Sequence, residues 1–158
     1  MKRLALLLPI AALTLAVAAR GAAVAPAGEG QADFPGVANP AQARIDYMLK
    51  CQGCHQPQGG GDIRHTPPLA GTVARFLSVP GGREFLGRVP GVATTDLDDR
   101  RLAQLLNWTL YRFDRENLPV GFKPYSAKEI GGLRKAPLRL ERAEMRARLV
   151  HGFDRGID

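Results

Sequence analysis

Both cysteines of this 158-residue chain lie in one short run, Cys51-Gln52-Gly53-Cys54-His55. A structural zinc site needs four ligands at a characteristic spacing, and two thiols with one adjacent histidine do not supply them. A thioredoxin-like redox pair is expected within a βαβ unit, whereas this run follows a helical pattern and precedes a loop rich in glycine and proline. Both of these explanations for a cysteine pair are therefore disfavoured.

The spacing Cys-x-x-Cys-His is the attachment signature of c-type haem. The thiols of Cys51 and Cys54 add covalently to the two vinyl groups of the haem, and His55 is the predicted proximal ligand of the iron. We therefore expect one covalently attached haem c as the cofactor. With both thiols used in this way, no cysteine is left for a structural disulfide.

The N-terminus has the pattern of a secretory signal peptide. Lys2 and Arg3 precede an apolar stretch, Leu4 to Ala18, and small residues follow it. The stretch is shorter than the roughly 20 apolar residues that span a bilayer; an uncleaved anchor in contact with the membrane is the alternative. We predict a signal peptide and cleavage region at 1–25, a disordered leader at 26–37 and export to the periplasm.

The chain is basic, with 22 Lys and Arg residues, 15 Asp and Glu residues and a formal net charge of +7. No nucleic-acid-binding motif accompanies this charge, and we predict no nucleic-acid partner. One explanation is a basic face that steers the protein onto an acidic redox partner. An ordinary solvated surface is the other, and the excess charge is concentrated in the C-terminal tail.

The hydrophobic pattern predicts helices and no strand. Asn39 is placed to cap a first helix that has Pro40 in its first turn and runs into the CQGCH segment. The strongest pattern covers Leu97 to Asp114, with Thr95 or Asp96 as its cap. Trp108 lies beside one face of this helix and is predicted to be a core residue. The residues of that face follow helical spacing and are Leu102, Leu105, Leu106, Thr109, Leu110 and Phe113.

The remaining segments predict shorter elements. They are a loop at 56–68, short helices at 72–77 and 83–88, a helix that is capped by Ser126 and ends near Lys135, and an amphipathic helix at 138–150.

Residues 38–115 resemble the monohaem class I cytochrome c family. A first helix leads into the CxxCH run, the family's Pro-x-Leu-x-Gly element is matched within Pro67-Pro68-Leu69-Ala70-Gly71, and an amphipathic helix closes the region. The resemblance implies that the Pro67 carbonyl accepts a hydrogen bond from Nδ1–H of His55, that Leu69 packs on the haem, and that Trp108 faces Tyr47 where the helices cross. It also implies an all-α cytochrome c domain at 38–122, followed by a basic helical extension at 123–158.

The sequence departs from this family at the distal iron ligand. The family usually places a methionine in the loop before the last helix, and Val89 stands at the corresponding position. His65, Met145 and His151 are the alternative candidates for the distal ligand, and an open or water-bound iron is a further possibility. Met48 is expected in the core, on the helix that leads into Cys51.

These features favour an electron carrier over an enzyme, because no second catalytic constellation is visible. The tail segment Phe-x-Pro-Tyr-Ser-Ala-x-Glu-Ile, at 122–130, is similar to that of small cytochromes that accompany periplasmic dehydrogenases. The predicted partners are therefore an exported dehydrogenase as the donor and a cytochrome or oxidase as the acceptor. A haem subunit of a larger enzyme and a haem protein that reacts with a gas or peroxide are the alternatives.

Overall fold

The computed structural model describes residues 34–62 and 65–153. The α-helices in these segments are α1 Pro40–Lys50, α2 Gln52–His55, α3 Gly82–Arg88, α4 Pro90–Ala93, α5 Asp99–Asp114, α6 Ala127–Leu133 and α7 Arg142–Val150. Two short 3₁₀-helices, Ala74–Ser78 and Arg115–Asn117, complete the helical elements of this part of the chain. Its β structure is limited to an isolated bridge between Asp62 and Thr66, so the predicted all-α fold is confirmed.

The predicted signal peptide at 1–25 and most of the predicted leader at 26–37 lie outside the described residues. Within the two described segments, no helix is long and apolar enough to cross a membrane.

The first helix begins where the sequence predicts. The Asn39 side chain accepts a hydrogen bond of 2.9 Å from the backbone N–H of Gln42, and Pro40 occupies the first helical position. Proline is favoured there because its missing N–H would have no partner within the helix. The helix ends at Lys50, and the N–H of Cys51 donates to the Tyr47 carbonyl at 2.9 Å, so the chain passes directly into α2.

The start of α5 corrects the predicted cap. Asp98, and not Thr95 or Asp96, caps the helix, because its side chain accepts a 2.9 Å hydrogen bond from the N–H of Arg101. The carboxylate of Asp96 instead pairs with Lys50 at 2.7 Å, and the Thr95 carbonyl accepts from Arg134. Both residues are therefore used to hold the segment before α5.

Helices α1 and α5 pack through aromatic rings and one ion pair whose carboxylate is buried. The ring centroids of Tyr47 and Trp108 lie 5.4 Å apart, which confirms the predicted position of Trp108 at the crossing. The ring of Phe113 lies 4.9 Å from that of Tyr47 on the same side. Asp46 is buried at this interface and pairs with the guanidinium of Arg101. Burial of a charge is costly unless it is paired, so this contact fixes how the two helices meet.

The C-terminal helices belong to the same hydrophobic core. The buried hydrophobic residues of the extension, in these helices and beside them, are Tyr125, Ile130, Leu138, Leu149 and Phe153. The ring of Phe76 lies 5.1 Å from that of Phe85 and 4.9 Å from that of Phe153, so the end of the chain packs against elements from its middle. The extension is therefore part of the domain's interior and is not a loose basic tail.

Two details of the extension differ from the sequence prediction. Helix α7 begins at Arg142 and not at Leu138, because Leu138 is buried and its N–H donates to the Arg88 carbonyl at 2.9 Å. Helix α6 has the predicted cap, since the Ser126 hydroxyl accepts from the N–H of Glu129 at 3.2 Å, and it ends at Leu133, slightly before the predicted end near Lys135.

Asn107, in the middle of α5, is fully buried and joins distant parts of the chain. Its Nδ2 donates to the carbonyls of Gly36, at 3.2 Å, and Tyr125, at 3.0 Å, and its Oδ1 accepts from the N–H of Tyr125 at 2.8 Å. One amide thereby connects the start of the described chain with the start of the extension.

Met48 corrects another expectation, because 48% of it is exposed where a core position was predicted. Ile45 and Leu49 are exposed beside it, at 48% and 71%. The buried face of α1 consists of Ala43, Asp46 and Tyr47.

Candidate functional site

The CQGCH segment forms a helical turn immediately after α1. The N–H groups of Cys54 and His55 donate to the Cys51 carbonyl at 3.2 and 2.9 Å. Residues three apart on a helix share a face, so the two sulfur atoms are presented on one side of the turn. Cys51 is partly buried and Cys54 is exposed.

His55 contacts the loop that returns toward it. Its Nδ1 lies 3.2 Å from the Pro67 carbonyl oxygen, and the role of Nδ1 in this contact depends on the tautomer. When Nδ1 carries the proton, the carbonyl accepts it and Nε2 is left as the ring nitrogen that can bind a metal. Burial lowers the pKa of His55, and the Pro67 contact partly offsets this effect. The ring is therefore neutral near pH 7, as ligation requires.

The thiol of Cys51 is unlike that of a redox-active cysteine pair. Burial raises the pKa of Cys51 to about 11, and the carboxylate of Asp46 and the thiol of Cys54 add to the shift. Thioredoxin-like pairs have a cysteine whose pKa is lowered, because the thiolate is the reactive form. The environment of Cys51 therefore agrees with the sequence argument against a thiol–disulfide exchange site.

The loop after His55 is closed by backbone hydrogen bonds. The Gly59 carbonyl accepts from the N–H groups of Leu69, at 2.7 Å, and Ala70, at 3.1 Å, and the N–H of Gly61 donates to the His55 carbonyl at 3.1 Å. Gly59 and Gly61 both have positive φ values, of 70° and 63°, which only glycine adopts without strain. The loop thereby brings Pro67 back to the His55 ring.

Two contributors to this loop were missed from the sequence. The hydroxyl of Tyr47 donates to the Gln56 carbonyl at 2.6 Å, and burial raises the pKa of Tyr47 to about 12, so the hydroxyl remains protonated at neutral pH. A β-carbon at Gly59 would lie 2.8 Å from the Phe113 ring, so this glycine also allows the loop to approach α5. The run of three glycines was the available signal for the second feature, and no sequence signal indicated the first.

The distal candidates occupy three different environments. His65 is exposed, and its Nδ1 lies 2.9 Å from Oδ2 of Asp62. Met145 is partly buried and packs against the hydrophobic core, and His151 is exposed. Val89 is partly buried at the start of α4, where it also packs against the core. The assignment of a distal ligand among these residues stays a prediction.

The segment between α4 and α5 is held from the C-terminal extension. The Arg134 guanidinium donates to the carbonyls of Ala93, at 3.2 Å, Leu97, at 2.7 Å, and Thr95, and it contacts the carboxylate of Asp99 at 3.1 Å. The buried hydroxyl of Thr95 has no hydrogen-bond partner within the described residues.

The donor set fits a covalently attached haem better than a bare metal ion. No group of three or more His, Cys, Asp or Glu side chains that could hold a metal ion is found in residues 34–62 and 65–153. Two thiols on one helical turn, next to a neutral histidine in contact with a carbonyl, instead match the requirements of haem c attachment. Leu69, predicted to pack on the haem, is partly buried against the core. The roles of Cys51, Cys54, His55, Pro67 and Leu69 stay predictions at this level.

Comparison with known proteins identifies two curated relatives. A cytochrome c-552 from Thermus thermophilus is 35% identical over 107 residues, which covers 56% of this chain and 82% of that protein. A second cytochrome c-552, from a named strain of the same organism, is 35% identical over 107 residues and is covered over 72% of its length. No family model matches the chain. No solved structure matches it significantly.

Proposed function

The chain belongs to the class I c-type cytochrome family, and from this premise we propose that it carries one electron on a single haem c attached through Cys51 and Cys54. The haem supplies a one-electron iron(III)/iron(II) couple. The contact between Nδ1 of His55 and the Pro67 carbonyl, at 3.2 Å, carries the proposal, because it prepares the ring for ligation through Nε2.

The residues of the candidate site have different roles in binding the cofactor. Cys51 and Cys54 form the two thioether bonds, and they fix the haem to the turn that also carries His55. The Pro67 carbonyl orients the imidazole, and hydrogen bonding to Nδ1 increases the basicity of the ligating nitrogen. Leu69 contributes apolar surface next to the site. Electron transfer needs no further acid, base or nucleophile from the protein.

The same proposal includes a location and partners. An exported dehydrogenase donates the electron, and a downstream cytochrome or oxidase accepts it in the periplasm. The signal-peptide pattern at 1–25 supports export. Removal of residues 1–25 takes away three basic residues, and the 19 Lys and Arg residues against 15 Asp and Glu residues that remain, a net charge of +4, support association with an acidic partner surface. Purification of the mature protein from the periplasmic fraction, without its first residues, is the expected result. A cytoplasmic protein with an intact N-terminus would contradict this part.

The cofactor is tested by expression of the chain in a host that attaches haem c. The wild-type protein should retain haem after denaturation and acid extraction and give a c-type pyridine haemochrome spectrum. Cys51→Ala and Cys54→Ala should each prevent normal double attachment, because one thioether is lost. The wild-type chain expressed without the attachment enzymes is the control. An unchanged c-type spectrum in either variant would contradict the assignment.

An iron with an open distal position is the second candidate, and it corresponds to a protein that reacts with a gas or peroxide. Two observations favour it: Val89 replaces the expected methionine, and His65 is exposed with Asp62 as its partner. The reduced protein should then bind carbon monoxide, and the ferric protein should have a high-spin EPR signal. A low-spin ferric signal, together with no response to carbon monoxide, would instead support a pure electron carrier.

If the ferric iron is low spin, His65→Ala identifies its ligand. Conversion to high spin would assign His65 as the distal ligand. An unchanged low-spin spectrum would remove His65 from the candidates and leave Met145 and His151.

A further inference from the structure

We propose that Tyr47 is a positioning residue for the proximal histidine. Its hydroxyl donates a hydrogen bond to the Gln56 carbonyl, and this contact keeps the His55 ring at hydrogen-bonding distance from the Pro67 carbonyl. The inference rests on the proposed function, since it concerns the iron ligand of the haem. It assigns to one phenol group on α1 a part in setting the reduction potential.

The position of the Tyr47 hydroxyl is fixed by its surroundings. The residue is 1% exposed, and its ring packs against Trp108 and Phe113 with centroid separations of 5.4 and 4.9 Å. The hydroxyl oxygen lies 2.6 Å from the Gln56 carbonyl oxygen. Because the buried Tyr47 ring packs against two other aromatic rings, its hydroxyl is fixed in position. The hydroxyl can therefore restrain the backbone at the start of the loop.

Gln56 needs such support because its backbone is strained. Its φ of 63° is the one positive value at a non-glycine position within the described residues. With a ψ of 165°, this is a conformation that essentially only glycine adopts, and at a residue with a β-carbon it persists only where surrounding contacts enforce it. The N–H of Gln56 donates to the Gln52 carbonyl at 2.7 Å, and its carbonyl accepts from Tyr47 and, at 3.2 Å, from the N–H of Gly59.

This strained residue directly follows His55 and opens the loop that carries Pro67. The loop is closed by hydrogen bonds from Leu69 and Ala70 to the Gly59 carbonyl, and it is joined to His55 through the N–H of Gly61. Tyr47 is the side chain that ties the start of this closed loop to α1. Without its hydroxyl, Gln56 is free to relax, and the distance between His55 and Pro67 changes with it.

The distance between Nδ1 of His55 and the Pro67 carbonyl has a chemical consequence. A strong hydrogen bond from Nδ1–H makes the imidazole a better electron donor, which favours the ferric state and lowers the potential. A weaker bond has the opposite effect. Loss of the Tyr47 hydroxyl should therefore raise the reduction potential.

The test compares Tyr47→Phe with Tyr125→Phe in the purified haem-loaded protein. Both substitutions remove one buried phenol that donates to a backbone carbonyl, since the Tyr125 hydroxyl donates to the Arg83 carbonyl at 2.8 Å. Tyr47→Phe should raise the equilibrium constant for reduction about two- to tenfold, which is a rise of up to about 59 mV for one electron. Tyr125→Phe should leave the potential unchanged, because its carbonyl partner lies in α3 and not in the loop after His55.

A second readout follows the hydrogen bond itself. In the reduced protein, hydrogen exchange of the Nδ1 proton of His55, measured by NMR, should be faster in Tyr47→Phe than in the wild type or in Tyr125→Phe. Adding Gln56→Gly to Tyr47→Phe should return both the potential and the exchange rate toward wild-type values, because glycine accepts the positive φ without support.

The proposal is overturned if Tyr47→Phe loses stability as Tyr125→Phe does but keeps the wild-type potential and exchange rate. Tyr47 would then be a packing residue only. Failure of the proposed function is a separate result, since the wild-type protein itself would then lack a c-type haemochrome spectrum.

Discussion

The loop after CQGCH and the C-terminal extension are held to the rest of the protein in different ways. In the loop, of which residues 56–62 and 65–71 are described, backbone hydrogen bonds join residues three to eleven positions apart, such as Leu69 and Gly59, and glycines at positive φ make them possible. In the extension, Arg134 reaches carbonyls that are 37 to 41 residues away along the chain. A local motif therefore builds the site, and a distant side chain secures the segment that precedes α5.

The largest effect is expected from Gly61→Ala in the loop, and a glycine in the extension provides the matched comparison. In Gly61→Ala the new β-carbon would meet the Thr66 carbonyl and lie 2.8 Å from the Pro67 carbonyl oxygen, at a φ of 63°. Neither backbone group can move without opening the loop. We expect a loss of at least about 2 kcal/mol in the free energy of unfolding, measured by urea denaturation of the haem-loaded protein, and an altered reduction potential.

Gly131→Ala is the matched substitution in α6. Its β-carbon would meet the Asp99 carboxylate, which is the end of a side chain and can rotate away. Alanine also favours a helix by up to about 1 kcal/mol over glycine. The net change in stability should be within about 1 kcal/mol, with no change in potential. Equal losses for the two variants would contradict the distinction between a rigid loop and an adaptable extension.

Arg134→Ala should have the next largest effect. The Arg134 side chain is 18% exposed, and its removal leaves the carbonyls of Ala93, Thr95 and Leu97 without their donor. Because unsatisfied buried carbonyls are costly, we expect a loss of about 1–2 kcal/mol in the free energy of unfolding. Lys135→Ala, at the exposed neighbouring position, is the control and should change stability by less than about 0.5 kcal/mol. Similar results for both would show that the extension depends on its apolar contacts alone.

The smallest effect is expected from Lys50→Met, which removes the ion pair between Lys50 and Asp96 in the segment before α5. The ammonium of Lys50 lies 2.7 Å from the Asp96 carboxylate and holds the pKa of Asp96 below its usual value. A lowered pKa in the folded state stabilises the protein above about pH 4, and this contribution disappears as the pH falls through the folded-state pKa. Lys50→Met should therefore make the stability less dependent on pH between about 5 and 3.

The control for Lys50→Met is ionic strength. The Asp96 side chain is 74% exposed, so salt screens the pair, and the difference between variant and wild type should vanish at about 1 M salt. A difference that persists at high salt would indicate that Lys50 acts through packing of its aliphatic part and not through its charge.

Much of the helical framework could be predicted because its signals are local. The start of α1 is indicated by Asn39 and Pro40, and the start of α6 by Ser126. The capping side chains Asn39 and Ser126 act on backbone groups within three residues. The predicted cap of α5 was wrong because Thr95, Asp96 and Asp98 all have side chains that can cap a helix. Lys50, which lies far away in sequence, engages the Asp96 carboxylate, and the Thr95 hydroxyl is buried without a hydrogen-bond partner within the described residues, so neither side chain caps the helix.

The same distinction, between local sequence signals and contacts made by distant residues, holds for the candidate site. Cys51, Cys54 and His55 are recognisable as a motif, and the Pro67 carbonyl was inferred from the family resemblance. The Tyr47 hydroxyl was not inferred, because a tyrosine on the buried face of a helix predicts packing and gives no indication of which carbonyl it meets. Met48 was wrongly placed in the core, since apolar residues occur on both the buried and the exposed sides of α1.

The buried amide of Asn107 has a consequence for the order of events during synthesis. Its partners, Gly36 and Tyr125, lie on either side of it in sequence, so its hydrogen bonds cannot be completed until Tyr125 has been made. Ile130 and Leu138 add fully buried side chains even later. The two thiols of CQGCH are synthesised well before this closure. Until that closure the core against which Cys51 packs is incomplete, whereas Cys54 is exposed in the folded protein as well.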